Sequence, residues 1–436
     1  MPQTIAIENR EGTEQTNEDI QRAINLAAAR GGGVVTVSPG TYIMHNALHL
    51  RSRVRVIGLG EGEQRPRLFK APSVQSRLIH FLGYGHYEFG IAEPRKFRVG
   101  MGVHLTDNNS MGFYDTVATI VGRDGDLFFV DRMFNHDYLA ANGGVVTSIH
   151  PIVEGYHVHD AGIENIIIDG NVQETHKLNG CRGGGVFLIN SHRIDIDTIE
   201  VRHFNGDAIS FQQCTDSAVR KGNVHHNRGH GLHPGSGSVR YVFEDNSVEH
   251  NEGDGLFYCL RTTHSRCSGN RLTHNGQSGI SIGERDTDHL IADNRIEHNG
   301  RHGITFRAPQ AQSGDRVRIE RNIIGPDSAA GEPVAEIHIP TRLHDVLLAD
   351  NDITPAAGAV ALSVGAGCTH IIAPGNRVAQ GPMSQQNIAG DGADTVRFNG
   401  PGKFPAVGPE ALPLIGARHL NIQQLRTWRE PPDEDL

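Results

Sequence analysis

An all-β solenoid, built from coils of three short parallel strands, is the architecture this sequence predicts. Three observations predict it. Asparagine recurs at a nearly fixed period, at Asn223, Asn246, Asn270, Asn294, Asn322, Asn351 and Asn376, with spacings of 23, 24, 24, 28, 29 and 25 residues. A second series, Asn227, Asn251, Asn275 and Asn299, runs inside the same repeat. Between the asparagines lie two- and three-residue apolar alternations such as Ile280/Ile282 and Leu290/Ile291, bounded by Gly, Asn and Asp. Those are strand-and-turn signals. Helical repeats need about 33–45 residues and longer apolar faces, and leucine-rich repeats need a leucine pattern that is missing here. Stacked coils would place equivalent residues in columns at the strand spacing of about 4.8 Å. Asparagines in such columns satisfy one another's amides and the turn backbone, so they carry no chemistry.

The elements follow in chain order. NEDIQRAINLAAAR (17–30) places Ile20, Ala23, Ile24 and Ala27 at helical spacing. Thr16 or Asn17 suits the N-cap, Glu18 and Asp19 the first turn, and Gly31 the exit. A helix there would cover the open end of the first coil. GGGVVTVSPGTYIMHNALHLRSRVRVIGLG then reads as two or three strands, so residues 1–81 form the N-terminal cap and first coils. Residues 82–150 lack the asparagine repeat and are rich in aromatics, which predicts an inserted β-rich subdomain or loops walling a groove. Residues 151–376 form the main run of coils. Residues 377–436 are read as a C-terminal cap, GPEALPLIGARHLNIQQLRTW, and a disordered tail, REPPDEDL.

Composition sets outer bounds. The chain has 436 residues, 53 of them glycine and 26 histidine, with 37% hydrophobic and 6% aromatic residues and a formal net charge of −10. Charged residues are only 21%, too few for a disordered chain, but the core must be assembled from small repeated increments. No apolar run approaches the ~20 residues of a membrane helix, so no membrane partner is expected. The acidic balance argues against nucleic acid. No leader is visible, which leaves a cytoplasmic location and a secreted one with leader removed equally open. Five irregularly spaced cysteines read neither as a disulfide framework nor as a zinc site.

The stretch DIQRAINLAAARGGGVVTVSPGTYIMHNALHLRSRVRVIGLG resembles the opening of the pectate-lyase-like proteins. That resemblance implies a single-stranded right-handed parallel β-helix with an N-terminal capping helix. It covers residues 17–60 directly and 160–376 through the repeat. The fold hosts lyases, hydrolases, epimerases and non-enzymatic fibres, so it does not fix a reaction.

Aligning the repeats on the small residue before each first strand yields the candidate site. One column reads Asp207, His230, Asp254, Ser278, His302. The next outward column reads Ser210, His233, Phe257, Ser281, Thr305. Further along the coil Arg261 and Arg285 share a column, beside Glu284 and Asp286. Turns favour Asn, Gly and Ser, so an Asp–His–Asp column followed by arginines is richer than turns require. Two carboxylates with an interposed histidine would raise that histidine's pKa. NGDAIS, RGHGLHPGS and GDGLFYCLR resemble three motifs of the polygalacturonase-type glycoside hydrolases. The resemblance reaches Asp207, His230 and Arg261 only. Gly206 replaces the first Asp of that family's pair, CRGGGVFLIN lacks a further Asp, and Arg261 has no paired Lys.

Three functional classes stay open. In the first, a glycosidic bond of a poly- or oligosaccharide is hydrolysed. Asp207 and Asp254, two coils and about 9.6 Å apart at the backbone, fit the wide spacing of an inverting pair. His230 would tune them, and Arg261 or Arg285 would hold an acidic or hydroxyl-rich sugar. Phe257 would offer a ring for stacking. In the second, a uronic acid undergoes β-elimination or epimerisation, with His233 or an arginine as base and Arg261 and Arg285 neutralising the carboxylate. The third is a non-catalytic carbohydrate-binding β-helix. No cofactor is expected; calcium is the one candidate kept open, though it needs a tight acidic cluster that the sequence does not display. The histidines before asparagine (His226, His250, His274, His298) are read as repeat-imposed structure and not as metal ligands. His136-Asp137-Tyr138, in the insertion, is a candidate to reach the groove. Oligomeric state is not readable.

Overall fold

The computed structural model describes residues 4–7, 15–80, 83–308, 314–327, 335–399 and 404–412. Three sheets run the length of the solenoid, two with 13 strands and one with 11. Each complete coil contributes one strand to each sheet in a fixed order. Ile209–Gln212 lies in the 11-stranded sheet, Ala218–Arg220 in the next, Asn223–His225 in the third, and Leu232–Gly235 returns to the first. Pairing between coils is parallel and keeps like residues together: Leu232 faces Leu256, Leu256 faces Ile280, and Ile280 faces Ile304. All four are at most 1% exposed. A single file of small aliphatics from each sheet therefore makes a continuous core, as strand periodicity requires when one face is turned inward.

Both asparagine columns are hydrogen-bonded ladders. The Asn270 side-chain amide donates to Phe243 O (2.9 Å) and to Asn294 Oδ1 (3.0 Å), while its own Oδ1 accepts from the backbone and side chain of Asn246. The same pattern joins Asn227, Asn251, Asn275 and Asn299. Each column departs from expectation at one end. Asn223 sits one residue late, inside a strand, and Gly222 holds the ladder position, its backbone N–H donating to Asn246. The inner ladder ends on a carboxyl: Asp327 Oδ1 accepts from Asn299 N and Nδ2. The residue before each rung adopts a left-handed conformation, as at Asp245, Asp293, His250 and His274. Asp, Asn and His tolerate that region better than most residues, which accounts for the histidines before asparagine. They stack ring on ring, His226 on His250 and His250 on His274, both at 5.0 Å.

The helix α1 (Asn17–Ala29) begins with Thr16 and Asp19 in a capping box and buries Ile20, Ala23, Ile24 and Ala27. That apolar face joins the main core beside Val35, Val37, Val54 and Val56.

Between the third and fourth coils the chain leaves the solenoid. Residues between Gln75 and Thr147 form a six-stranded antiparallel sheet with its own core, which includes Phe89, Phe97, Phe128, Phe134 and Tyr138. The coils close up across it: Leu48–His49 pairs directly with Val153–Glu154. The buried Lys70 ammonium donates to Ala71 O (2.9 Å) and Ser148 O (3.0 Å), joining the outgoing and returning strands. At the other end, Arg377–Val378 pairs antiparallel with Gly381–Pro382. Most of the expected C-terminal cap and all of the tail lie outside the described residues.

Candidate active site

The two candidate columns lie on the outer side of the 11-stranded sheet in the predicted register. Ser210 faces His233, Phe257 faces Ser281, and Ser281 faces Thr305.

Asp207 is buried. Its Oδ1 accepts the His230 backbone N–H (2.8 Å), and its Oδ2 lies 2.5 Å from His233 Nδ1. Burial pushes the Asp207 carboxyl up, but the hydrogen bond and charge of His233, and then His230, outweigh it and hold the pKa below the usual value. Burial pulls His233 down, yet the hydrogen bond to Asp207 and the nearby Cys259 thiol lift it to about 10. The two form a buried ion pair at neutral pH. Gly180 packs directly on it, leaving no room for a Cβ: one there would lie 1.7 Å from Asp207 Oδ2.

One coil on, His230 Nδ1 accepts the Asp254 backbone N–H (3.0 Å), so its proton resides on Nε2. Burial drives its pKa down to about 4, contrary to the rise expected of a histidine between two carboxylates. Desolvation of the imidazolium exceeds the attraction of Asp207. Asp254 accepts from Ser278 N (2.8 Å), and its Oδ2 lies 3.4 Å from His230 Nδ1. Burial pushes its carboxyl up to about 6, only partly offset by the Ser278 amide and by Arg307 and Arg301. The two carboxylates thus sit on either side of a neutral imidazole with pKa values pushed in opposite directions.

A plate of three planar groups divides the face. His230 stacks on Phe257 at 4.1 Å and 9°, and the Arg307 guanidinium lies 4.0 Å from the centre of the same ring. Both faces of Phe257 are covered, so it offers no ring for sugar stacking. On one side is a cavity of about 460 Å³ lined by Asp207, His233, Cys181, Cys259, Lys177 and Phe113. On the other is a cavity of about 340 Å³ lined by Asp254, Arg301, His302, Arg307, His338 and Ser281. Asp207 opens onto the first and Asp254 onto the second, so a ligand meeting both must cross the plate.

Other predicted residues stand elsewhere. Arg261, Arg285, Glu284 and Asp286 line neither cavity. Arg285 Nε lies 3.5 Å from Glu284 Oε1. Asp286 is wholly buried and closes a turn, accepting from Thr262 N, Thr262 Oγ1 and Gly283 N; it has no surface for a substrate. His136-Asp137-Tyr138 stays within the insertion, Tyr138 buried and donating to Tyr114 O. Phe113 is the insertion's residue at the first cavity.

A cation at the site that the repeat columns did not single out is Arg307. It donates to Ser281 Oγ (2.7 Å), Tyr258 O (2.5 Å) and Cys259 O (3.1 Å), and the nearest carboxylate oxygen, on Asp286, is 3.9 Å away. A signal for it exists in the repeat. Gly235, Cys259, Gly283 and Arg307 share a column, and only glycine at 283 lets the arginine lean back one coil; a Cβ there would lie 1.8 Å from its Nη2. Among the described residues no group of three or more His, Cys, Asp or Glu side chains is arranged to hold a metal ion.

Fold and site together define a right-handed parallel β-helix with an ionisable groove on one sheet. The family model "Right handed beta helix region" matches residues 153–324. Two solved structures similar to this chain are A-modules of mannuronan C-5 epimerases of Azotobacter vinelandii. AlgE4 is 17% identical, TM-score 0.59, over 89% of this chain and 92% of that one. AlgE6 is 16% identical, TM-score 0.58, over 87% and 85%. The DFA-IIIase of Arthrobacter chlorophenolicus A6 without its lid, in complex with GF2, is 11% identical, TM-score 0.51, over 91% and 93%. At these identities the likeness is one of fold. No curated protein matches the sequence.

Proposed function

We propose that the protein is a carbohydrate-active enzyme that hydrolyses a glycosidic bond of a poly- or oligosaccharide. The observation that carries the reading is the opposite perturbation of Asp207 and Asp254 across His230. A carboxyl raised to about 6 holds a proton to give, and one held low stays ionised to receive one; this division of roles defines acid and base in such pairs. Asp254 protonates the departing glycosidic oxygen as the C–O bond breaks. Asp207 takes a proton from the attacking water, since each carboxylate oxygen keeps a second lone pair beyond its present bond. The backbone spacing of two coils, about 9.6 Å, suits the water-accommodating gap of an inverting pair. Arg307 and Arg301 would hold an acidic or hydroxyl-rich sugar on the Asp254 side.

A second reading, epimerisation or β-elimination of a uronic acid, is favoured by those two arginines lying beside neutral imidazoles. The two epimerase modules of like fold agree with it. A panel of neutral and uronic polysaccharides separates the readings. New reducing ends without ultraviolet-absorbing unsaturated products support hydrolysis. Unsaturated products, or a changed uronate ratio without cleavage, support the second reading. Asp254→Asn should lower turnover by about 100-fold or more. No turnover on any sugar, with binding unchanged in Asp207→Asn and Asp254→Asn, would remove both enzyme readings and leave a binding protein.

A further inference from the structure

Neither reading uses the two cysteines of the larger cavity. Cys181 and Cys259 lie 78 positions apart in sequence, one on the loop that covers the Asp207–His233 pair, the other at the end of a groove strand. Both line the same cavity of about 460 Å³. Their side chains are close enough for each to affect the other's acidity, and Cys259 also acts on His233. They are the two cysteines that are not buried; Cys214, Cys267 and Cys368 are. His233 is 4% exposed, and its buried Nε2 has no hydrogen-bond partner.

The loop is already fastened close to its target. Gly180 O accepts from Ser210 Oγ (2.7 Å), Cys181 N donates to Asn179 Oδ1 (2.8 Å), and Arg182 Nε donates to Phe113 O (2.5 Å). Cys181 is therefore held against Cys259 by contacts that do not depend on either sulfur. The geometry points to a redox-active dithiol: Cys181 and Cys259 close to a disulfide that ties the 178–183 loop to the groove floor beside His233.

The more acidic thiol is Cys181. The nearby Cys259 thiol, then Arg182, hold it below the usual value against the opposing effect of burial. Cys181 is thus the nucleophile when a disulfide oxidant such as oxidised glutathione enters. Its thiolate attacks one glutathione sulfur, the glutathione S–S bond breaks, and a glutathione thiolate leaves. Cys259 then attacks the Cys181 sulfur of the mixed disulfide. Its proton passes to the departing second glutathione. Two cysteine thiols are oxidised by two electrons and one glutathione disulfide is reduced to two thiols.

The test needs no substrate, so its outcome is independent of the enzyme reading. Native protein is treated with oxidised glutathione and its intact mass and peptide map are measured. The expected product is lighter by about 2 Da, yields one cross-linked peptide joining residues 181 and 259, and reverts with dithiothreitol. Native alkylation before treatment should label two cysteines quickly and three slowly. Cys181→Ser should give no cross-link and leave Cys259 free. Retention of both thiols, or a stable glutathione adduct on Cys181 with no cross-link, overturns the proposal.

Discussion

Asp254→Asn should make the fold more stable at neutral pH while removing activity. Asp254 is 7% exposed and its pKa rises from 3.8 to about 6 on folding. A group whose folded pKa is raised binds more protons folded than unfolded between those two values. Stability therefore falls as pH rises through that window. At about 1.4 kcal/mol per pH unit, a shift of some two units means that ionised Asp254 costs the fold about 3 kcal/mol above pH ~6. Asparagine keeps the acceptor for Ser278 N and carries no charge. Denaturant midpoints of wild type and variant, compared at about pH 7.5 and about pH 4, measure the difference. The variant should gain about 3 kcal/mol at the higher pH, and the gap should close at the lower one, where Asp254 is protonated. The difference cancels other titrating groups that both proteins share. No gain at the higher pH, or a gain that does not change with pH, would refute the assignment of Asp254 as a desolvated carboxyl.

The partner carboxylate should respond with the opposite sign. Asp207→Asn strands the imidazolium of His233 in a buried site and should cost about 3–5 kcal/mol near pH 7, read from the same denaturant midpoints. In the ladder, Asn275→Ala removes the partner of Val248 O and of the backbone and one side-chain N–H of Asn251. At about 1–3 kcal/mol per orphaned buried group, the variant should lose at least about 3 kcal/mol and show faster amide exchange in the coils around residue 275. Asp327→Asn should do the reverse. Burial pushes Asp327 up to about 8 and Glu336 upward beside it, so the fold loses stability as pH rises through that range. Asparagine there restores the ladder's own chemistry and should raise the melting temperature at about pH 8 more than at about pH 6.

The coil was legible because its signal is repeated: every rung needs an amide that both donates and accepts, and Asn supplies it at a fixed spacing. The register of Asp207, His230 and Asp254 was legible for the same reason. What escaped is whatever depends on one coil leaning on another. Arg307 reaches its place only because Gly283 is empty beneath it, and the sign of the His230 shift depends on how much Phe257 covers. Arg261 and Arg285 share a column, which predicts a ligand-binding pair, yet they line neither cavity. A column fixes height along the solenoid but not which way a turn residue faces. Asn223 shows the converse error, where a residue of the right type stood one position away from the rung.

The Lys70 clasp has a consequence for how such a molecule can change. Because the ammonium bonds the carbonyls of Ala71 and Ser148, the points where the insertion departs and returns lie a side chain apart. The coils on either side already pair with each other. The 75–147 sheet is thus a branch on a finished trunk. Exchanging it for another segment would leave the rungs and the core file in place while replacing the wall that brings Phe113 to the groove. Selectivity for ligands can then be altered by grafting at one junction, without renegotiating the fold that holds Asp207 and Asp254 at their fixed separation.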